Sequence, residues 1–326
     1  MRAARCLQYG PPSSVSIEEV DDPTPSEGQV VVDVAAAAVN FPDVLVVADR
    51  YQVHIPVPFT VGSEFAGTVR ALGPGVSGLA VGDRVMGSTL FGAFADQVVV
   101  KAGALLPVDE AVDLATAAAS GVAQRTAFHA LRSIARVQPG EWVVVLGAAG
   151  GVGLAAVQLA QELGARVLAA ASTPEKVALC LDQGAEAVVD YDRENLKDRI
   201  KAITEGGANV VVDPVGGPHA EEALRALRWG GRFVTVGFAS GEIPRIPLNL
   251  VLLKGVVVTG FTLAAFNANQ PDDEARDLRE LADLARTGRV KPYISARYAL
   301  EDTGLALAEL AERRALGKVL VLPASS

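Results

Sequence analysis

The residues best placed to do chemistry lie in Val143-Val-Val-Leu-Gly-Ala-Ala-Gly-Gly-Val-Gly153, where an apolar run ends in clustered glycines before a second apolar run begins. This is the pattern of a strand, a tight turn and a helix. The backbone N–H groups at a helix start are unpaired, and the helix dipole adds partial positive charge, so a pyrophosphate satisfies both. Glycine lacks a Cβ, which lets the backbone close on the phosphates and the helix sit near the strand. Gly147, Gly150, Gly151 and Gly153 depart from a strict Gly-x-Gly-x-x-Gly because Ala148 and Ala149 occupy the turn. A purely structural turn is the bland alternative. Its place after a strand, at a helix start and inside a repeated βα pattern favours a dinucleotide.

The end of the second strand selects between dinucleotides. Domains that prefer NAD place an acidic residue there for the ribose 2′-hydroxyl. Leu168-Ala-Ala-Ala-Ser-Thr-Pro-Glu-Lys176 puts no carboxylate at the strand end. Ser172 or Thr173 caps the next helix, with Pro174 at its first position and Lys176 in its first turn. Small hydroxyls, a helix start and a lysine suit a phosphate, so the expected cofactor is NADPH. Hydrogen bonds to charged groups contribute about 1.5–3 kcal/mol each. Two would favour NADPH over NADH by roughly 10²-fold or more. A solvated helix charge is the competing reading of Lys176, and Glu175 is the one carboxylate that opposes the phosphate.

These residues need a scaffold, and the chain is long enough for two domains at 326 residues. It is 50% hydrophobic and 21% charged, which excludes disorder along its whole length. Cys6 and Cys180 stand far apart, excluding a disulfide scaffold and a four-cysteine zinc site. Net charge is −9, so no nucleic-acid partner is expected. Neither a secretory signal nor a membrane partner is expected, and the chain reads as soluble and cytoplasmic. Leu248 to Phe266 is interrupted by Asn249, Lys254, Gly255 and Gly260, and reads as a buried helix turn followed by a buried strand.

The first third is β-rich, with short apolar runs at Val30–Val34, Gly67–Leu72, Asp83–Met86 and Phe94–Val100. Leu114–Ala135 is Ala-rich with helical spacing. From Trp142 apolar strands alternate with amphipathic helices, the signature of a parallel sheet covered on both faces. Val256–Gly260 would be its last strand, followed by a helix at Asp272–Thr287, and Val319–Leu322 is left over as a final strand.

The whole chain resembles the medium-chain dehydrogenase/reductase superfamily, most closely its zinc-free quinone oxidoreductase branch, which includes zeta-crystallin. The likeness is carried by Ala38-Val-Asn-Phe-Pro-Asp43, Val61-Gly-Ser-Glu-Phe-Ala-Gly-Thr-Val69, Val81-Gly-Asp-Arg-Val85 and Gly92-Ala-Phe-Ala-Asp96. Gly147–Gly153, Val236-Gly-Phe-Ala-Ser-Gly241 and Gly317-Lys-Val-Leu-Val-Leu-Pro323 continue it. The resemblance implies an α/β fold: a doubly wound Rossmann sheet inserted in a GroES-like β-rich catalytic domain, with the cofactor in the cleft between them. The expected boundaries are 1–120 for the first catalytic part, 121–260 for the Rossmann domain and 261–326 for the return.

By the same resemblance Lys176, Tyr191 and Arg313 fall where the family contacts the adenosine phosphate, beside Ser172, while Gly147, Ala149, Gly150, Gly151, Val152 and Gly153 line the pyrophosphate turn. Tyr191 taken alone reads as a half-buried strand-end tyrosine and Arg313 as an exposed helix charge; only their joint match raises them. Asn40, Thr126 and Phe238 fall near the nicotinamide and substrate. Asn40 could hydrogen-bond the acceptor oxygen or the cofactor ribose, and Tyr51 is a proton donor or, more plainly, a pocket wall.

No metal is expected. The position of the zinc family's Gly-His-Glu motif reads Gly62-Ser63-Glu64, and a serine is a poor zinc ligand. Glu64 reads as a structural hydrogen-bonding group, while His54, His129 and His219 lack ligand spacing and read first as surface or helix residues. Without a Lewis acid, hydride suits an acceptor that is already electrophilic, a quinone first and an activated C=C bond second. A binding protein that holds NADPH only as a ligand, RNA-binding or otherwise, is the reading from another class. Family members pair through the last Rossmann strands, which implies a homodimer through Val256–Gly260 and Phe261–Leu263.

Overall fold

The computed structural model describes residues 1–323, so the last three residues of the expected 261–326 segment lie outside it. The chain forms two compact units, Met1–Val122 together with the chain from Lys291 onward, and Ala123–Val290.

The first unit begins with β1 (Arg2–Cys6), β2 (Val15–Glu19), β3 (Gln29–Ala38), α1 (Phe41–Val47), β4 (Phe59–Thr60), β5 (Glu64–Leu72), β6 (Arg84–Ser88), β7 (Gln97–Lys101), β8 (Leu105–Pro107) and α2 (Leu114–Ala118). β1 pairs antiparallel with β2 and β4. β3 is the spine of a second sheet, antiparallel to β5 and β7, and β5, β6 and β8 continue it outward. Val30, Val32, Phe65, Val69, Val85 and Phe94 fill the core beneath it. On the other face Ala36, Ala38 and Ala66 meet Ala117, Ala118 and Ala119, small side chains that let α2 lie close on the strands.

The expected continuous helix over Leu114–Ala135 is broken. Val122 N–H donates to the buried Glu64 Oε1 at 2.6 Å, and a Cβ at Gly121 would stand 2.9 Å from the same oxygen. A carboxylate supplied by β5 thus interrupts the helix, and the boundary between the units falls at this point.

The second unit comprises α3 (Ala123–His129), β9 (Trp142–Leu146), α4 (Gly151–Glu162), β10 (Arg166–Ala171), α5 (Pro174–Asp182), β11 (Ala187–Asp190), α6 (Leu196–Ile203), β12 (Ala208–Asp213), α7 (Pro218–Arg225), β13 (Leu227–Thr235), α8 (Leu248–Lys254), β14 (Val257–Gly260), α9 (Leu263–Asn269) and α10 (Pro271–Arg286). Its six strands are all parallel, in the order β11-β10-β9-β12-β13-β14. Every residue of β9 is buried, as a central strand covered on both faces requires.

Two expectations need correction. The segment Leu248–Phe266 does form a helix and a strand, but neither is buried along its outer side: Leu252 is 81% and Val257 56% exposed. β14 is the edge strand of this sheet, and no other described strand pairs with its outer side. The return to the first unit also comes at Lys291 rather than at 261. Residues 261–290 stay with the second unit because α10 is bound to α3 by buried charges. Asp277, fully buried, accepts from His129 Nδ1 at 2.8 Å, Ser133 Oγ at 2.5 Å and Arg276 Nη2 at 2.7 Å. Arg125 pairs with Glu274 at 2.5 Å, and His129 stacks on Phe266 with ring centroids 4.3 Å apart. His129 Nε2 lies 2.6 Å from Glu274 Oε2, though off the line of a hydrogen bond.

The first unit is completed by β15 (Ile294–Ala299), α11 (Thr303–Ala311) and β16 (Lys318–Leu322). β16 runs parallel to β15 and antiparallel to the end of β3, with Leu320 opposite Ala38.

Candidate functional site

In the second unit the glycine turn is built as the residue types require. Gly147 turns the chain at φ +56°, and Gly150 N–H donates to its carbonyl at 3.0 Å. Gly150 caps α4, whose first N–H groups at Gly151, Val152 and Gly153 have no partner within the helix. A Cβ on Gly153 would stand 2.3 Å from the Gly147 carbonyl oxygen, so only glycine lets the helix seat on the turn. Ala149 is buried, and Ala148 N–H is spent on Ala170 O, which ties the turn to β10.

At the end of β10 Thr173 is the helix cap, its Oγ1 accepting from Lys176 N–H at 3.3 Å. Lys176 Nζ lies 3.5 Å from Ser172 Oγ, bringing these two polar groups together at the strand end. Glu175 is exposed. Tyr191 N–H donates to Ala171 O, which sets the residue beside Ser172, and its ring lies against His219 with centroids 4.4 Å apart. Thr126 is half-buried on α3, and Phe238 is half-buried after β13, its ring over Gly216. Asp213, at the end of β12, was not anticipated. Burial raises its pKa, while the Gly216 and Val215 N–H groups bonded to Oδ1 act in the opposite sense.

The first unit carries a buried polar cluster around Asn40. Nδ2 of Asn40 donates to Glu64 Oε2 at 2.8 Å and to Ala38 O at 3.3 Å, and Oδ1 accepts from Lys318 Nζ at 2.7 Å. Lys318 Nζ also donates to Glu64 Oε2 at 3.0 Å and to Val39 O at 3.4 Å. Asp43 Oδ2 accepts from Asn40 N–H at 2.8 Å, the reach-back bond of a helix start. Burial pushes Asp43 up to about 6, against hydrogen bonds from Ser63 and Asn40 that lower it.

Both amide protons of Asn40 are therefore used inside the cluster. It has only a lone pair on Oδ1 to offer and cannot donate to an oxygen that gains negative charge. Tyr51 is half-buried and packs against the apolar core, as a wall would. Arg313 is exposed in the first unit, just past α11 at φ +59°, rather than on the helix.

Sequence reasoning missed Lys318 and Asp43 as members of the cluster. A charged residue opening the apolar run Lys318–Leu322, and the Asn40-x-x-Asp43 spacing of a capping box, were the available signals. His219 was read first as a surface or helix residue, although it borders Tyr191. Among the described residues no group of three or more His, Cys, Asp or Glu is arranged to hold a metal ion, and no helix is long and apolar enough to cross a membrane.

Comparison with known proteins agrees with this layout. Residues 26–110 match the alcohol dehydrogenase GroES-like domain, and residues 151–283 match the zinc-binding dehydrogenase family. The chain is 38% identical to bovine quinone oxidoreductase-like protein 2 over 98% of its own length and 92% of the relative's. The chain belongs to the medium-chain dehydrogenase/reductase superfamily, in its quinone oxidoreductase-like branch. Human quinone oxidoreductase is 31% identical, with 99% of this chain and 98% of that protein covered. The Escherichia coli quinone oxidoreductase structure, solved with NADPH, superposes with a TM-score of 0.93 at 29% identity, over 99% of this chain and all of that one. A mycobacterial structure, also solved with NADPH, gives 0.92 at 31% identity over 99% of this chain and all of that one. The fold of the superfamily is thus present, with a GroES-like first unit and a Rossmann sheet in the second.

Proposed function

We propose that this chain is an NADPH-dependent reductase that delivers hydride to a quinone without zinc. The observation that carries the reading is the end of β10, where Lys176 and Ser172 converge and the strand itself ends without a carboxylate, next to a turn that only glycine can close. Bound NADPH would supply the hydride. The first N–H groups of α4 would hold its pyrophosphate, and Ser172, Lys176 and Tyr191 its additional phosphate. Thr126 and Phe238 are the second unit's candidates for the nicotinamide end. Arg313 remains a phosphate contact and Tyr51 a pocket wall by resemblance.

Zinc independence is supported by how the polar atoms of the first unit are used. The oxygens of Asn40 and Glu64 face the Lys318 ammonium, so positive charge is already supplied there by a side chain. Ser63 hydrogen-bonds Asp43, and a hydroxyl is a weak zinc ligand. An acceptor that needs no Lewis acid fits such a site. The relatives named for quinone reduction favour a quinone.

NADPH oxidation followed with 1,4-benzoquinone, acrolein and crotonyl-CoA tests the reading. Turnover should be fastest with the quinone. Turnover only with acrolein or crotonyl-CoA would make the chain a reductase of activated alkenes, and NADPH binding without turnover would make it a binding protein. Lys176→Ala should raise KM for NADPH about 10–100-fold while leaving NADH nearly unaffected, as loss of a charge-assisted bond requires. Equal kcat/KM for the two cofactors in the unaltered enzyme would overturn the assignment of this phosphate site.

We also infer that two copies pair through β14, whose outer edge pairs with no other described strand and whose surroundings are apolar and exposed.

A further inference from the structure

We propose that Lys318 is a positioning residue for Asn40, holding its amide, together with Glu64, so that it offers a ligand an acceptor and no donor. The inference rests on the reading that Asn40 meets the cofactor or the acceptor, and it adds what fixes the amide there. Antiparallel pairing sets Leu320 opposite Ala38; carried on by two places, the register brings Lys318 opposite Asn40. The lysine therefore arrives from the far end of the chain by strand pairing, whereas Glu64 comes from β5.

The hydrogen-bond inventory of the three groups closes. The ammonium has three protons and finds three acceptors, Asn40 Oδ1, Glu64 Oε2 and Val39 O. Glu64 accepts on one oxygen from Val122 N–H and on the other from Asn40 and Lys318. The two amide protons of Asn40 go to Glu64 Oε2 and Ala38 O, leaving one lone pair on Oδ1. Turning the amide over would set oxygen against carboxylate at 2.8 Å and NH₂ against ammonium at 2.7 Å. All three residues are buried, so little solvent is available to soften either clash. The group that meets Oδ1 must itself donate, as a ribose hydroxyl does.

Glu64 and the Ala38 carbonyl hold the NH₂ group but leave Oδ1 unheld. Lys318 fixes the oxygen end of the amide. A hydride donor held at a wrong angle still binds but reacts slowly, so the loss should fall on turnover more than on affinity.

A double-mutant cycle with NADPH and 1,4-benzoquinone separates positioning from mere structural support. Asn40→Ala and Lys318→Met should each lower kcat about 10–100-fold, with NADPH Kd changed by less than about 3-fold. Lys318→Met/Asn40→Ala together should be no slower than Asn40→Ala alone, because the lysine has then lost the group it positions. The deuterium isotope effect with 4-deuterated NADPH should rise in Lys318→Met, whereas a smaller folded fraction would leave it unchanged. If Lys318→Met does not fold, Glu64→Gln, which keeps the side-chain size, runs the same cycle. An unaltered kcat in Asn40→Ala would overturn the reading of Asn40 itself. A slow Asn40→Ala combined with a normal Lys318→Met, or with losses that multiply in the double variant, would overturn the positioning role alone.

Discussion

Asp43 is where one buried carboxyl gives the first unit a distinctive response to pH. Burial lifts it to about 6, above the value of about 3.9 for a free aspartate. Between those values the folded chain keeps a proton that the unfolded chain releases, so stability falls as pH rises from about 4 to about 6 and then levels off. The full difference amounts to about 3 kcal/mol at 1.36 kcal/mol per unit. Asp43→Asn keeps an oxygen to accept the Asn40 N–H and removes the titration. The variant should therefore melt higher than the unaltered protein at pH 7.5, and the gap should close near pH 4. A gap that does not vary with pH would clear Asp43 of the effect. At this scale the sequence was readable wherever partners are near neighbours. The glycines of residues 147–153 and the Ser172–Lys176 pair act within one turn, so spacing alone exposes them. Lys318 and Asn40 are 278 positions apart, and His129 and Asp277 are 148 apart. Only the folded chain shows that these side chains meet, and the number of donors left on Asn40 follows from that meeting.

The elements show the same division between local and distant causes. The βα alternation from Trp142 to Gly260 was legible because fully covered strands must be continuously apolar and their helices amphipathic. The break after α2 was not, since the group that causes it, Glu64, belongs to β5. Nor was the allegiance of α9 and α10, whose sequence is amphipathic but does not say which surface receives the apolar side. The buried charges between α3 and α10 decide it, and Asp277 is their centre. Burial raises its pKa, but hydrogen bonds from His129, Ser133 and Arg276 more than offset this and hold it below the usual carboxylate value. Its contribution is therefore present above about pH 4 and is lost as pH falls through the lowered value. Asp277→Asn keeps the volume but leaves Arg276 short of a counter-charge. Breaking a buried pair in this way costs about 3–5 kcal/mol. Hydrogen exchange should accelerate first in 263–286, while β9 and β12 remain protected. Uniform acceleration across the second unit would instead mean that the cluster supports the whole sheet.

For the whole molecule, the discontinuous first unit could be anticipated from Val319–Leu322, an apolar strand left over after the βα series and with no place in it. The surface was harder to read. Apolar content at Leu248–Phe266 suggested burial, yet Leu248, Leu252 and Leu253 on α8 are exposed, as are Val257 and Val258 on β14 and Trp229 on β13. Sequence patterns register that a residue is apolar but not whether the chain itself covers it. An edge strand with free N–H and C=O groups amid such a patch invites another strand, and chains that remain soluble normally blunt or cover edges of this kind. A second copy does so most simply, β14 against β14 about a two-fold axis, with each α8 and Trp229 shielded at the same time. On this argument the protein should run in size-exclusion chromatography with light scattering at twice its 33.8 kDa chain mass. Val258→Lys places one ammonium in each half of the pairing, and because the axis doubles every substitution, like charges then face each other where apolar groups had met. That variant should elute at the chain mass with its Rossmann sheet intact by circular dichroism, since Val258 is 44% exposed in the single chain. An unaltered protein that elutes as a single chain at micromolar concentration would show that the apolar edge serves something other than self-pairing.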